Sequence, residues 1–490
     1  MLKKIVGILM LVLALGLCAC GEDEIKTNIN AIDATWSGID VYQIKEAGKL
    51  QGLVSAPLFN RDPKTGQIVD GVCKKWKVKG NTITFKLPKD LYYSTGKMVK
   101  AKDVKASILH GMKNSPYAFA YSSIENIQVD GQKITLELSS YNSDIEYIFT
   151  SPYMCIISKS ELNNMTNEEL LWSCHPYGMY SVVNYEKGIH VNLERNPKFK
   201  GFNIEDSIYT DENIKTMDVV FNVNEEDGVE ELQDGNIDGI TAITKDSALL
   251  LKDNEEICVN RFKTPEINYL ELNTKGKLSY RRLRKAIINI INRDELCKDL
   301  SDEIYPAYNI ISKKVVNHSN TFPKEYKATY ANKIKQAKKE MKKLGYKKNK
   351  EGFYAKKGKP IELSLLVSDS MISTQVGALL QKQIEDFGIK VKLSAMEYKA
   401  LKLKLSKDKY DLALETFSWE EPVLVFNNIF GDDQSPAISG KYYDLVKKMQ
   451  GERKFKKRTK KVKIVEENLA ESFVIAPLYG GYGYDVFRKH

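Results

Sequence analysis

Along this chain of 490 residues, apolar and polar positions alternate over several short stretches, the period-two signature of a strand with one buried face. Residues 82–87, 134–138, 190–194 and 218–223 read this way. In the second half the period changes. Residues 361–367 are strand-like, and after Ser368-Asp369-Ser370 the side chains of Ile372, Val376, Leu379, Leu380, Ile384 and Phe387 share one helical face. Gly388 then stands where a left-handed cap ends a helix. Ile389, Val391 and Leu393 alternate directly afterwards, so the segment predicts a βαβ crossover between parallel strands. A helix is predicted over 280–296, with Leu283, Ile287, Ile290 and Ile291 inward, after the strand-like 267–273. Residues 473–478 are strand-like again, and Gly480-Gly481-Tyr482-Gly483 behind them predicts a turn. The pattern as a whole is α/β.

The N-terminus departs from it. Lys3 and Lys4 precede an unbroken apolar run from 5 to 17, thirteen residues where a membrane-crossing helix needs roughly 20. The run therefore predicts a signal peptide over 1–19. Leu17-Cys18-Ala19-Cys20-Gly21 resembles the bacterial lipobox, which implies cleavage behind Ala19 and acylation of Cys20. Each buried methylene contributes about 0.8 kcal/mol, so two or three palmitate-like chains would hold the protein firmly to a membrane. Residues 20–28 then read as a tether.

A content of 42% hydrophobic and 10% aromatic residues excludes a disordered or collagen-like chain, and the length predicts two to four packed units. The formal charge of +10 falls to +8 when the leader takes Lys3 and Lys4 with it. Much of it is local: residues 333–359 carry twelve lysines against Glu340 and Glu351, and 453–463 carry eight basic residues and no acid. Ile334, Ala337, Met341 and Leu344 recur at helical spacing under the first run, so both read as solvated helix faces rather than nucleic-acid sites. Besides Cys20, the mature chain keeps Cys73, Cys155, Cys174, Cys258 and Cys297, widely spaced and without a CxxC pair, which read as buried free thiols. The five histidines are scattered, and HExxH, GxSxG, P-loop and GxGxxG patterns are absent from the sequence. The residues thus point to a binder rather than an enzyme, with no metal or cofactor expected.

A series of motifs adds a resemblance. Leu53-Val54-Ser55-Ala56-Pro57-Leu58-Phe59 leads, followed by Asp62-Pro63-Lys64-Thr65-Gly66, Ile68-Val69-Asp70-Gly71 and Trp76. Tyr93-Ser94-Thr95-Gly96 precedes Lys100-Ala101-Lys102-Asp103-Val104, a loop that turns into a helix. His175-Pro176-Tyr177-Gly178-Met179-Tyr180, Leu193-Glu194-Arg195-Asn196-Pro197 and Asp234-Gly235-Asn236-Ile237-Asp238 come next. Leu270-Glu271-Leu272-Asn273-Thr274, Arg281-Arg282-Leu283-Arg284-Lys285-Ala286 and Tyr410-Asp411-Leu412 complete the order. This chain resembles the family 5 extracellular solute-binding proteins, the peptide and nickel type that serve ABC importers.

The resemblance implies a two-lobed periplasmic-binding-protein-like fold of type II, with an extra subdomain inserted in lobe I. Lobe I would comprise 29–264 and 472–490, with the insertion at about 52–153, and lobe II 265–471. The implied function is capture of an oligopeptide or dipeptide between the lobes by a lipid-anchored, extracytoplasmic monomer and delivery to ABC permease subunits. A nickel chelate or other small solute is the alternative ligand, and a signalling-peptide receptor or adhesion lipoprotein the alternative role. Peptide binders of the family hold the ligand ammonium with an aspartate shortly after the "YD" strand. Here that segment reads Thr416-Phe417-Ser418-Trp419-Glu420-Glu421-Pro422, so Glu420 could replace the aspartate if the length difference falls after it, whereas Ser418 stands there if it falls earlier. Phe417, Trp419, Glu420 and Glu421 are the candidate ligand contacts, with Asn273 and Tyr177 added from the matching motifs.

Overall fold

The structure is a computed structural model that describes residues 25–31, 36–45, 47–62, 65, 67–201, 214–221, 224–300, 303–419, 421–430 and 440–489. The leader over 1–19, Cys20 and Glu420 lie outside the described residues. Strands β1 (Ile25–Ala31), β2 (Ile214–Phe221), β3 (Gly239–Ile243) and β4 (Ile257–Lys263) belong to the first lobe. Strands β5 (Ile267–Leu272), β6 (Glu362–Ser368), β7 (Lys390–Met396) and β8 (Leu412–Phe417) belong to the second, and β9 (Ile475–Arg488) passes through both. Their spatial order is β7-β6-β8-β5-β9-β3-β1-β2, continued by the hairpin of Tyr180–Glu186 and His190–Arg195.

The βαβ unit forms as its pattern predicts. β6 and β7 run parallel, joined by the helix Met371–Phe387, whose Val376, Leu380 and Ile384 are buried. Each such side chain contributes about 1.5–3 kcal/mol when fully buried. Gly388 ends the helix at φ 110, a conformation that costs a residue with a Cβ.

Three expectations are corrected. The tether over 20–28 overlaps β1: Ile25–Asn28 pair parallel with β2, and β1 continues alongside β3. Lys26, Thr27 and Asn28 made the segment look like a linker, but backbone pairing does not depend on apolar side chains. The helix predicted over 280–296 is two helices, Arg281–Ile290 and Arg293–Leu300. Ile291 is extended, and Asn292 stops the first helix and caps the second by accepting from the Glu295 amide at 3.4 Å. Gln383 holds the break from outside, accepting from the Asn292 amide at 2.9 Å. The Gly480-Gly481-Tyr482-Gly483 stretch is not a turn but the middle of β9. At its start β9 pairs with β5 through Ile475–Tyr479.

The lobes are therefore joined at two adjacent crossings. One is Thr264-Pro265-Glu266, between β4 and β5; the other is Gly480-Gly481 within β9. They are bonded to each other: the Thr264 amide and hydroxyl donate to the Gly481 carbonyl at 3.1 and 3.3 Å. On lobe I, the subdomain carries an antiparallel sheet of Lys74–Lys79, Thr82–Lys86, Lys133–Leu138 and Ile124–Asp130, in that spatial order. Phe59, Trp76, Phe85 and Phe149 interlock in its core, mostly edge to face.

The basic runs are largely surface, with an exception in each. Lys333 is buried beneath the first, 5.5 Å from the centre of the Tyr308 ring, and burial lowers its pKa to about 8, with Arg293 adding to the effect. Arg458 is buried beneath the second. Cys73, Cys155, Cys174 and Cys297 are buried free thiols, and Cys258 is an exposed one. Among the described residues no helix is long and apolar enough to cross a membrane.

Candidate functional site

The two lobes meet along a seam built from one helix of the lobe I subdomain and three helices of lobe II. The helices involved are α1 (Asp144–Thr150) on lobe I, and α2 (Pro422–Phe430), α3 (Gly440–Gln450) and α4 (Phe455–Ser472) on lobe II. β8 delivers the chain to the seam: after Phe417 it runs through Trp419 to Glu421 at the start of α2.

Trp419 touches the cores of both lobes. Its ring meets Tyr117 of lobe I edge-on, centroids 5.9 Å apart at 78°. Tyr117 in turn lies 4.4 Å from Tyr153, and both hydroxyls donate to the Lys45 carbonyl, at 2.5 and 3.1 Å. These bonds fix two aromatic faces opposite Trp419. Leu424 of α2 also packs into the lobe I core.

Beside the aromatic group lies a buried charge network that spans the seam. Arg458 of α4 donates to Glu146 of α1 at 2.9 Å and to Asn317 at 2.7 Å, while Glu146 also accepts from Tyr141. Arg61 of lobe I is 3.8 Å from Glu421 and donates to Thr150 at 3.1 Å. Burial raises the pKa of Glu421, opposed by the charges of Arg61 and Arg458. Gln450 of α3 donates to Asp144 at 3.2 Å, and its carbonyl accepts from the Ser143 amide at 2.9 Å. Burial pushes Asp144 up to about 7, and the negative charge of Glu421 adds to the shift.

Next to this network a cavity of ≈ 460 Å³ opens between the lobes. Arg61, Tyr147 and Thr150 line it from lobe I; Lys313, His318 and Thr459 line it from lobe II. A pocket of that size suits a small organic solute, and its rim is predominantly cationic. A cleft with walls on two hinged bodies can shut around a solute and strip it of water.

Of the residues singled out from sequence, Trp419 and Glu421 stand on the seam, and Glu420 lies outside the described residues. Phe417 does not reach it: the ring is buried in lobe II against Tyr269, 5.5 Å away. Asn273 lines a separate cavity within lobe II, where it donates to the carbonyls of Asp408 and Tyr410 at 3.1 and 2.8 Å. Tyr177 is fully buried in lobe I, packed on Phe199 and accepting from the Lys200 amide at 2.8 Å. Both motifs are recognisable because they hold loops. Sequence reasoning missed Arg61, Tyr117, Asp144, Glu146 and Arg458, which come from four separate stretches of the chain and carry no local signature.

Comparison with known proteins agrees with this architecture. The profile of bacterial extracellular solute-binding proteins, family 5, matches residues 67–435. A curated relative, the nickel-binding protein NikA of Staphylococcus aureus, is 21% identical over 337 residues, 68% of this chain and 62% of the relative. Among solved structures, NikZ of Campylobacter jejuni in complex with Ni(L-His) superposes with a TM-score of 0.75 at 20% identity, covering 94% of each chain. The oligopeptide-binding protein AppA of Bacillus subtilis in complex with a nonapeptide gives 0.70 at 16%, covering 95% of each. NikA of Brucella suis in complex with Fe(III)-EDTA gives 0.78 at 18%, covering 95% of each. This two-lobed α/β chain belongs to the bacterial extracellular solute-binding proteins, family 5.

Proposed function

We propose that this protein captures a peptide between its lobes, without altering it chemically, and presents the closed complex to the permease of an ABC importer. The observation that carries the reading is the seam itself. Trp419 and Tyr117 face each other from different lobes, beside a cavity whose walls come from both. Affinity in such a cleft depends on the closed arrangement, so a transporter that recognises closure recognises occupancy. Cys20 would tether the protein to the outer face of the cytoplasmic membrane. Replacing Cys20 with Ala should release the protein into the medium.

A nickel chelate is the second reading. Relatives named for nickel binding support it, as does the cationic rim of Arg61, Lys313 and Lys314, which would suit the carboxylates of a chelating ligand. Among the described residues no group of three or more His, Cys, Asp or Glu side chains is placed to hold a bare metal ion. In this reading the metal enters with its own ligands.

Native mass spectrometry of the protein purified from its source separates the readings. A carried mass in the peptide range, released on denaturation, supports the first. A nickel isotope pattern supports the second. Repeated preparations without a peptide, followed by an unproductive peptide-library screen, would sink the first.

A further inference from the structure

The lysine-rich stretch 333–359 is more than a solvated helix face. Eleven of its twelve lysines are exposed, and among the described residues none of the eleven forms an ion pair. Its two acids are taken by cations from outside the stretch: Glu340 accepts from Arg282 at 2.7 Å, and Glu351 lies 3.4 Å from Lys390. On the exposed side of the helix Tyr330–Lys343, Lys335 and Lys339, Lys338 and Lys342, and Lys339 and Lys343 stand four residues apart, where like charges repel across one turn. The chain then enters a small antiparallel sheet of Lys347–Lys348, Tyr354–Lys356 and Lys359–Pro360, and there Lys356 is paired directly opposite Lys359. A face that only had to stay in water would intersperse both signs. This one keeps its repulsion, and an anion laid across it would relieve it.

We propose that this face of lobe II is a docking surface for a phosphate-bearing polymer of the cell envelope. The stretch holds no arginine. Where proteins meet each other, arginine is enriched and lysine depleted, because the planar guanidinium pairs with carboxylates in a fixed geometry. Lysines on flexible stems act as point charges and suit a chain of repeating phosphates. The position of the face sets the membrane aside as its partner. Leu366, Ala413, Glu271 and Ile475 stand in one row across the sheet at the start of β9, and Lys359–Pro360 lie beyond that row, just before β6 begins. At the other end of β9, Phe487 is level with Gly239 and Ile29, and β1 begins four residues further out, at Ile25. The 14 residues of β9 cover about 40 Å between the two ends. A lipid on Cys20 would have at most about 18 Å of chain before β1, which holds that end against the membrane and leaves the lysines at the end away from it. This step rests on the anchor proposed above.

The test uses the full mature protein carrying Cys20→Ala, so that no lipid contributes to binding. It is mixed with cell walls purified from its source, before and after hydrofluoric acid has stripped their phosphodiester polymers, and the bound fraction is measured at low and high salt. Untreated walls should bind at least tenfold more tightly than stripped walls, with an affinity that falls steeply with salt. The combined Lys338→Gln, Lys342→Gln, Lys347→Gln, Lys356→Gln and Lys359→Gln variant should lose at least tenfold of that affinity and show a flatter salt dependence. It should melt no lower than the parent at low salt, because like charges have been removed. Equal binding to stripped and untreated walls, or an undiminished variant, would overturn the proposal. A lower melting temperature would mean that the lysines are neutralised within the fold, and would overturn it too. Tighter binding to vesicles of anionic phospholipid than to untreated walls would make the membrane the occupant and equally end it. Neither a solute nor a lipid anchor enters these readouts, so they stand apart from the peptide, nickel and anchor readings.

Discussion

Arg458 of lobe II donates its Nη1 to Glu146 of lobe I at 2.9 Å, with the two side chains 3% and 10% exposed. This bond ties the N-terminal turn of α4 to α1 across the seam. The basic run around Arg458 looks solvated in sequence, yet this one member is drawn inward because an acid and an amide wait for it. Removing one partner of a buried pair strands the other charge, at a cost of about 3–5 kcal/mol. Arg458→Met should therefore shift the solute-free protein toward an open arrangement. Small-angle scattering should show an increased radius of gyration, and combining it with Glu146→Gln should recover part of the change.

Trp419 carries the second prediction. An edge-on aromatic pair is worth about 0.5–1.5 kcal/mol beyond the area it buries. Trp419→Ala also removes a ring that both lobes touch. Affinity for the solute found on the native protein should fall at least tenfold by calorimetry, about 1.4 kcal/mol or more. An unchanged affinity would reduce Trp419 to a packing residue.

Glu466 sets a pH dependence. It is buried in lobe II, accepting from the Ile311 amide and the Asn309 side chain at 3.1 Å each, and burial pushes it up to about 8. A folded-state value above the unfolded one of about 4.3 means that the folded protein holds the proton more tightly. The stabilisation is complete below pH 4 and is lost as pH rises from there through 8. The buried Asn309 Oδ1 makes no hydrogen bond, so a rotated amide could accept from a Gln at 466. Glu466→Gln should be close to neutral at pH 5 and stabilising at pH 9 by about 1–2 kcal/mol, read by urea unfolding at both values.

The hinge offers a fourth. A Cβ on Gly480 would sit 2.5 Å from the Tyr305 hydroxyl, whereas one on Gly481 would meet only the Thr264 hydroxyl at 3.8 Å. Gly480→Ala should destabilise by about 1–3 kcal/mol through the forced displacement of Tyr305, and Gly481→Ala should cost well under that. Thermal unfolding of the two variants side by side checks the difference.

Much of the fold was legible in the chain because it depends on local periodicity. The helix Met371–Phe387 with its Gly388 cap, the parallel strands beside it and the short antiparallel strands of the subdomain follow from residues that are neighbours in sequence. β1 escaped because polar residues filled it, and the long helix was divided because Asn292 could cap as well as continue. The glycines of β9 suggested a turn, whereas they let one strand pass close to Tyr305 between two lobes.

The site divides along the same line. The sequence by itself determined the α/β class, the ordered motifs of the family and the short stretch from Trp419 to Glu421. Only the tertiary structure decided what that stretch faces. Tyr117, Asp144, Glu146 and Arg61 come from one lobe and Arg458 from the other, and none sits near Glu421 in the chain. A charge acquires its partner, and its cost, from the burial that closure imposes. That burial is a property of two surfaces meeting, which no local pattern of residues records.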